Sequence, residues 1–214
     1  MKRIVALVSG DGSNLQAILN ACKKNEIPGR VVAVLSNNSQ AFAIERARTV
    51  HIATHVLVPL HFRTKNLFHQ KLMQTVDLYF PDLVILAGYM CILNTEFVTS
   101  YFGRILNIHP SLLPKYPGLY THSKAIQNSD VQHGSSVHFV TEKLDAGPVI
   151  LQARVPVLLN DTEHALAMRV KRQEHRIYPL VVKWFTEGRL EMHDDAAWLD
   201  GSKLPKSGYM GFIK

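Results

Sequence analysis

The sequence predicts an α/β fold: a mostly parallel sheet with helices on both faces and an antiparallel hairpin near its C-terminal end. Three observations predict it. Short β-branched runs alternate with helical patterns through the first hundred residues. These runs are almost continuously apolar, as strands covered on both faces must be. After Tyr101 the rhythm changes, and two strand-like runs are separated only by a short turn containing Gly147-Pro148. Such a sheet is Rossmann-like, with right-handed crossovers and a ligand crevice at the C-terminal ends of its strands.

The elements follow in order. Ile4–Val8, Val31–Leu35, Ile52–Val56 and Leu83–Leu86 read as strands, and each of the first three leads into a helical pattern. Leu15, Ile18, Leu19 and Cys22 form the stripe of the first helix, and Phe68, Leu72, Val76 and Tyr79 that of a later one. Arg104–His109 is a further strand, followed by a Pro- and Gly-rich loop through Gly118 and a short helical stretch. Ser135–Thr141 and Val149–Val157 pair across the turn Leu144-Asp145-Ala146-Gly147-Pro148. A long helix comes next, with Thr162 as its cap, Glu163 in its first turn and an apolar stripe of Ile177, Val181, Trp184 and Phe185. Pro179 is expected to kink it. The tail from Asp194 to Lys214 has little periodicity and is expected to drape over the surface.

A chain of 214 residues fits one domain, 1–214, and 47% hydrophobic with 19% charged residues is ordinary for a globular fold. Lys and Arg exceed Asp and Glu by 7. That excess raises nucleic acid, membrane and small anions as partners. Only Lys2-Arg3, Lys23-Lys24 and Lys171-Arg172 are contiguous basic pairs, so no basic arm is present and nucleic acid is not expected. Cys22 and Cys91 are too few for a disulfide framework and too far apart for a redox pair. Reduced thiols and a cytoplasmic location are expected. The apolar start gives way at Ser9-Gly10 too soon for a signal peptide, and Leu83 to Leu93 falls short of the ~20 residues that span a bilayer.

Ser9-Gly10-Asp11-Gly12-Ser13-Asn14 lies between the first strand and the first helix, where backbone N–H groups and the helix dipole favour an anion. The plainer alternative is a tight turn with Ser13 as helix cap. A dinucleotide fingerprint would place a third glycine at Leu15 and an acid at the end of the second strand, which instead reads Leu35-Ser36-Asn37-Asn38. No Walker lysine follows either. The loop suits a monophosphate with a ribose.

Asn107-Ile108-His109-Pro110-Ser111 closes an apolar strand. Period-2 alternation puts Asn107 and His109 on one side, and Pro110 ends the strand, which places the His109 imidazole at the rim of the crevice. An amide beside an imidazole can bind one carbonyl oxygen, stabilise it as an oxyanion and then move a proton. Asp145 is a plausible acidic partner that favours the protonated imidazole, against the alternative of an ordinary Asx turn. No metal is expected: His133 and His138 are five apart in a strand, and no HExxH spacing occurs. A serine acyl-enzyme has no Gly-x-Ser-x-Gly elbow to support it.

Taken together, Ser9-Gly10-Asp11-Gly12-Ser13-Asn14-Leu15-Gln16, Asn107-Ile108-His109-Pro110-Ser111-Leu112-Leu113-Pro114 and the segment from His133-Gly134-Ser135-Ser136 to Leu144-Asp145-Ala146-Gly147-Pro148 resemble the formyltetrahydrofolate-dependent formyltransferase family. The glycine loop and chain length point to its phosphoribosylglycinamide-formylating branch. The resemblance implies a nucleotide-binding half at 1–100 and a catalytic and folate-binding half at 101–214. It implies that Gly12, Ser13 and Asn14 hold 5-phosphoribosylglycinamide, with Lys171 and Glu174 near its phosphate and ribose or amine. The alternative for Lys171 and Glu174 is a solvated surface pair.

The co-substrate implied is 10-formyltetrahydrofolate, placed near Lys65, Met90, Cys91, Ile92, Leu93, Asn107, Val140 and Thr141. Asn107, His109 and Asp145 are the implied catalytic set for direct attack of the substrate amine on the formyl carbon. Many relatives carry arginine at the positions of Lys65 and Cys91, and neither residue here reproduces a bidentate guanidinium contact. The alternatives are a formyltetrahydrofolate hydrolase and a basic nucleic-acid-binding module. Relatives that formylate methionyl-tRNA carry a further domain for the tRNA. The oligomeric state is left open.

Overall fold

A computed structural model gives the fold and describes residues 1–209. The chain divides into two compact units, Met1–Leu106 and Asn107 onward. Its seven-stranded sheet has the order β3-β2-β1-β4-β5-β6-β7, where the first four strands are β1 (Lys2–Val8), β2 (Gly29–Ser36), β3 (Ala53–Val56) and β4 (Leu83–Leu86), and the last three are β5 (Ile105–His109), β6 (Gln132–Phe139) and β7 (Val149–Pro156).

In the first unit β1 lies between β2 and β4, β3 lies outside β2, and all these pairings are parallel. The alternation read from the sequence is therefore real. Ile4, Val5, Ala6, Leu7 and Val8 are all 0% exposed, as are Leu83, Val84 and Ile85. Each such aliphatic side chain removed from water stabilises the fold by roughly 1.5–3 kcal/mol, which makes this strand cluster the centre of the unit. Helix α1 (Ser13–Lys23) buries Leu15, Ile18 and Leu19 as expected, but Ala21 rather than Cys22 completes the stripe. After it come α2 (Phe42–Arg48), α3 (Lys65–Asp77) and α4 (Thr95–Ser100). Phe68, Leu72 and Val76 are buried on α3, whereas Tyr79 lies beyond its end and its hydroxyl pairs with His55 at 2.6 Å.

In the second unit β6 and β7 form the expected antiparallel hairpin, paired from Gln132↔Pro156 to His138↔Val149. Helix α5 (Thr121–Gln127) precedes it. Helix α6 (Glu163–Thr186) follows, with the Thr162 hydroxyl accepting the Ala165 N–H at 3.1 Å and Pro179 inside an unbroken helical run.

The tail is not a surface drape. Strands β8 (Leu190–His193), β9 (Ala196–Leu199) and β10 (Ser202–Lys203) form a separate antiparallel sheet. Its turns are built at Asp194-Asp195 and Asp200-Gly201, all four with positive φ, the conformation of tight hairpin turns. Tyr209 then returns to β7, its N–H donating to the Ile150 carbonyl at 2.7 Å. The last part of the expected drape, residues 210–214, lies outside the described residues. Among the described residues no helix is long and apolar enough to cross a membrane.

Candidate functional site

In the second unit, four polar side chains meet at the end of β5. Asn107 and His109 come from β5, His138 from β6, and Asp145 from the turn between β6 and β7, where its φ is 48°. Gly147 lets that turn close, because a Cβ there would lie 1.9 Å from the Phe139 carbonyl oxygen. Asp145 Oδ2 accepts the Gly118 N–H at 2.8 Å and faces His109 Nδ1 at 3.5 Å, while Oδ1 lies 3.8 Å from His138 Nε2.

The hydrogen bonds fix the roles of the two rings. His138 Nδ1 lies 2.8 Å from the Phe139 carbonyl, so Nδ1 carries the proton and Nε2 is an acceptor for the Asn107 amide N–H at 3.2 Å. Burial holds the His138 imidazole well below the usual histidine range, consistent with a neutral ring that only orients Asn107. His109 has an acceptor at each nitrogen, with the Tyr116 carbonyl 2.8 Å from Nε2 and the Asp145 carboxylate facing Nδ1. The His109 side chain is only 7% exposed. It is not at a rim: it is buried, and the Tyr116 carbonyl of the loop after β5 engages its Nε2.

The loop after β5 is itself pinned at Ser111 and Leu113. The Ser136 hydroxyl accepts the Leu113 N–H at 3.0 Å and donates to the Ser111 carbonyl at 2.7 Å, and the Gln152 amide donates to the Leu113 carbonyl at 2.8 Å. Sequence reasoning missed His138 and Ser136 as supports. The parity of β6 puts both on one face of the strand but does not say what they meet there. Val140 and Thr141, just after β6, are half-buried. On α6, Lys171 is half-buried and Glu174 is 7% exposed, so Glu174 is not part of a solvated surface pair. Among the described residues no cluster of three His, Cys, Asp or Glu could hold a metal. His133 pairs instead with His122, Nε2 to Nδ1, at 3.1 Å.

In the first unit the glycine loop caps α1, but the cap is Gly12 (φ 79°) and not Ser13. No side chain occupies the N-cap and no acid lies in the first turn. The first-turn amides are therefore presented as backbone donors. Ser9 ties this loop to the segment after β4: its hydroxyl accepts the Met90 N–H at 2.7 Å and donates to Asn37 Oδ1 at 2.5 Å, while the Asn37 amide donates to Cys91 Sγ at 3.1 Å. Met90 and Ile92 are 67% and 68% exposed, Cys91 and Leu93 half-buried. Lys65 is exposed at the start of α3, where Thr64 caps the helix.

A parallel α/β sheet with a phosphate-type loop after its first strand and an Asn-His-Asp cluster at a later strand end is the framework of a group-transfer enzyme. The chain belongs to the formyl transferase family, whose model matches residues 2–182. It is 58% identical over 206 residues to the Escherichia coli (strain K12) phosphoribosylglycinamide formyltransferase, covering 96% of this chain and 97% of that protein. It is 46% identical to the Haemophilus influenzae protein of the same name, over 98% of this chain and 99% of that one. Among solved structures, the phosphoribosylglycinamide formyltransferase of Coxiella burnetii superposes with a TM-score of 0.93 at 46% identity, over 97% of this chain and 98% of that one.

Proposed function

We propose that the chain transfers the formyl group of 10-formyltetrahydrofolate to the amine of 5-phosphoribosylglycinamide, in purine biosynthesis, as a single domain acting in the cytoplasm. The carrying observation is the linked cluster Asn107–His138–Asp145–His109, in a chain 58% identical to a protein named for this reaction. In this reading Gly12, Ser13 and Asn14 hold the phosphate, Lys171 and Glu174 approach the ribonucleotide, and Lys65, Met90–Leu93, Val140 and Thr141 meet the folate.

The amine nitrogen adds to the formyl carbon and the carbonyl oxygen becomes an oxyanion. Asn107 spends one amide N–H on His138 Nε2 and offers the other to that oxyanion. The His109 Nε2–H serves the same oxygen once it leaves the Tyr116 carbonyl. Collapse of the intermediate breaks the bond to the folate nitrogen. The ammonium proton passes to that nitrogen, with the Asp145 carboxylate orienting the His109 ring through Nδ1. Holding both reactants in attack geometry is worth ~7–11 kcal/mol, against ~3–4 for one oxyanion donor, so positioning dominates.

Mixing the protein with glycinamide ribonucleotide and a 10-formyl folate, and following deformylation optically, tests the proposal. Turnover that requires the ribonucleotide supports it. Equal turnover without the ribonucleotide identifies a hydrolase and overturns it.

A further inference from the structure

Helix α2 grips the glycine loop from one side. The Ala43 N–H donates to the Gly10 carbonyl at 3.1 Å, and the Arg46 Nε–H donates to the Asp11 carbonyl at 2.8 Å. Arg46 Nη2 forms an ion pair with the Asp11 carboxylate at 3.1 Å, and Nη1 reaches Gln16 Oε1 on α1 at 3.4 Å. The guanidinium carbon also lies over the Phe42 ring, 4.8 Å from its centroid, and the Arg46 side chain is 24% exposed. Contact is so close that a Cβ on Gly12 would stand 2.5 Å from Ala43 Cβ and 3.4 Å from Arg46 Cδ.

In a planar trans peptide the C=O and the N–H of the next residue point in opposite directions. Drawing the Gly10 and Asp11 carbonyls onto α2 therefore turns the Asp11 and Gly12 N–H groups away from it. Consecutive amides turned the same way form the concave donor set that a phosphate takes at a helix start. Arg46 has a second effect. Asp11 puts a carboxylate beside that donor set, and an uncompensated negative charge there repels a phosphate dianion.

We propose that Arg46 is a positioning residue for the phosphate of the ribonucleotide: it aims the loop amides from behind and neutralises Asp11, without itself touching the reacting atoms. The inference rests on the function proposed above. It predicts a defect confined to the phosphorylated substrate.

The test uses the full chain and its Arg46→Ala and Arg46→Lys variants, assayed with glycinamide ribonucleotide and with the dephosphorylated glycinamide riboside. For Arg46→Ala the KM for the ribonucleotide is expected to rise ~10–100-fold, with kcat at saturation within about threefold and the KM for the formyl folate within about twofold. The kcat/KM for the riboside is expected to change less than about twofold. Arg46→Lys, which keeps the charge but not the fork of donors, is expected to fall between. An unchanged ribonucleotide KM, or an equal loss on the riboside, overturns the inference. Should Arg46→Ala fail to fold by circular dichroism, Arg46→Lys carries the same comparison. A wild-type chain that formylates neither substrate refutes the functional reading, whereas an active wild type with indifferent variants refutes only the role of Arg46.

Discussion

The glycine loop after β1 and the polar cluster at the end of β5 both sit where a strand ends, yet they are built in opposite ways. The loop offers backbone amides and no side-chain cap, and its shape is set by what presses on it from α2. The cluster offers buried side chains, with Asn107 donating to His138 and the Asp145 carboxylate facing both His138 and His109. Backbone donors suit an anion of fixed shape, because they carry no charge to desolvate and no rotamer to order. Side chains suit chemistry, because protons must move and charge must develop. The two regions should therefore fail differently when altered.

The largest effects belong to the cluster. Asn107→Ala and His109→Ala are each expected to lower kcat by ~10²–10⁴ while moving KM for either substrate only a few-fold, read in steady-state assays. A near-wild-type kcat in either breaks the contrast. Asp145→Asn removes the carboxylate that faces His109 and also an acceptor for the Gly118 N–H, so a loss of ~10–10³ in kcat is expected. If that variant instead raised KM with kcat intact, Asp145 would be shaping the loop rather than supporting proton transfer.

The loop should show the mirror image. Gly12→Ala places a Cβ 2.5 Å from Ala43 at a φ of 79°, so the loop must move or strain. Such strain costs about 1–3 kcal/mol, and the altered amides should raise the ribonucleotide KM at least ~10-fold with a smaller change in kcat. A thermal melt and a substrate titration check both parts. A variant that loses kcat and keeps KM would remove the distinction between the regions.

Sequence patterning revealed the parallel strands because burial on both faces leaves an apolar signature that needs no knowledge of partners. Asn107, His109 and Asp145 were legible for a similar reason: strand ends, proline and a tight turn are local signals. His138 was not, since its role depends on lying 3.2 Å from a residue 31 positions away, and local patterning carries no such distance. The plainer alternative of a Ser13 cap fails because, although serine has the better intrinsic capping side chain, tertiary contact with Ala43 selects glycine at position 12. The terminal sheet escaped notice because four-residue strands show almost no period, although Asp200-Gly201 was a turn signal in plain view.

The smallest expected effect uses acid to separate the units. In the second unit, burial and the neighbouring His122 push the His133 imidazole down to about 4, and burial lowers His122 and His138 as well. In the first unit only His55 is lowered, by burial and the Lys71 charge, at the half-exposed end of β3. An unfolded chain takes up protons at these rings near pH 6.5, the folded chain only at lower pH, so the unfolded state binds more protons in between. Stability must then fall as pH drops from about 6.5 towards 4, by up to about 3 kcal/mol for a ring such as His133. Amide hydrogen exchange at pH 5 against pH 7 should show β6 and α5 losing protection while β1 keeps it. His133→Gln should flatten the pH dependence of the urea midpoint in that window, because glutamine keeps polar groups for His122 but takes up no proton. Equal loss of protection in both units would show that the acid response is global and would erase this part of the contrast.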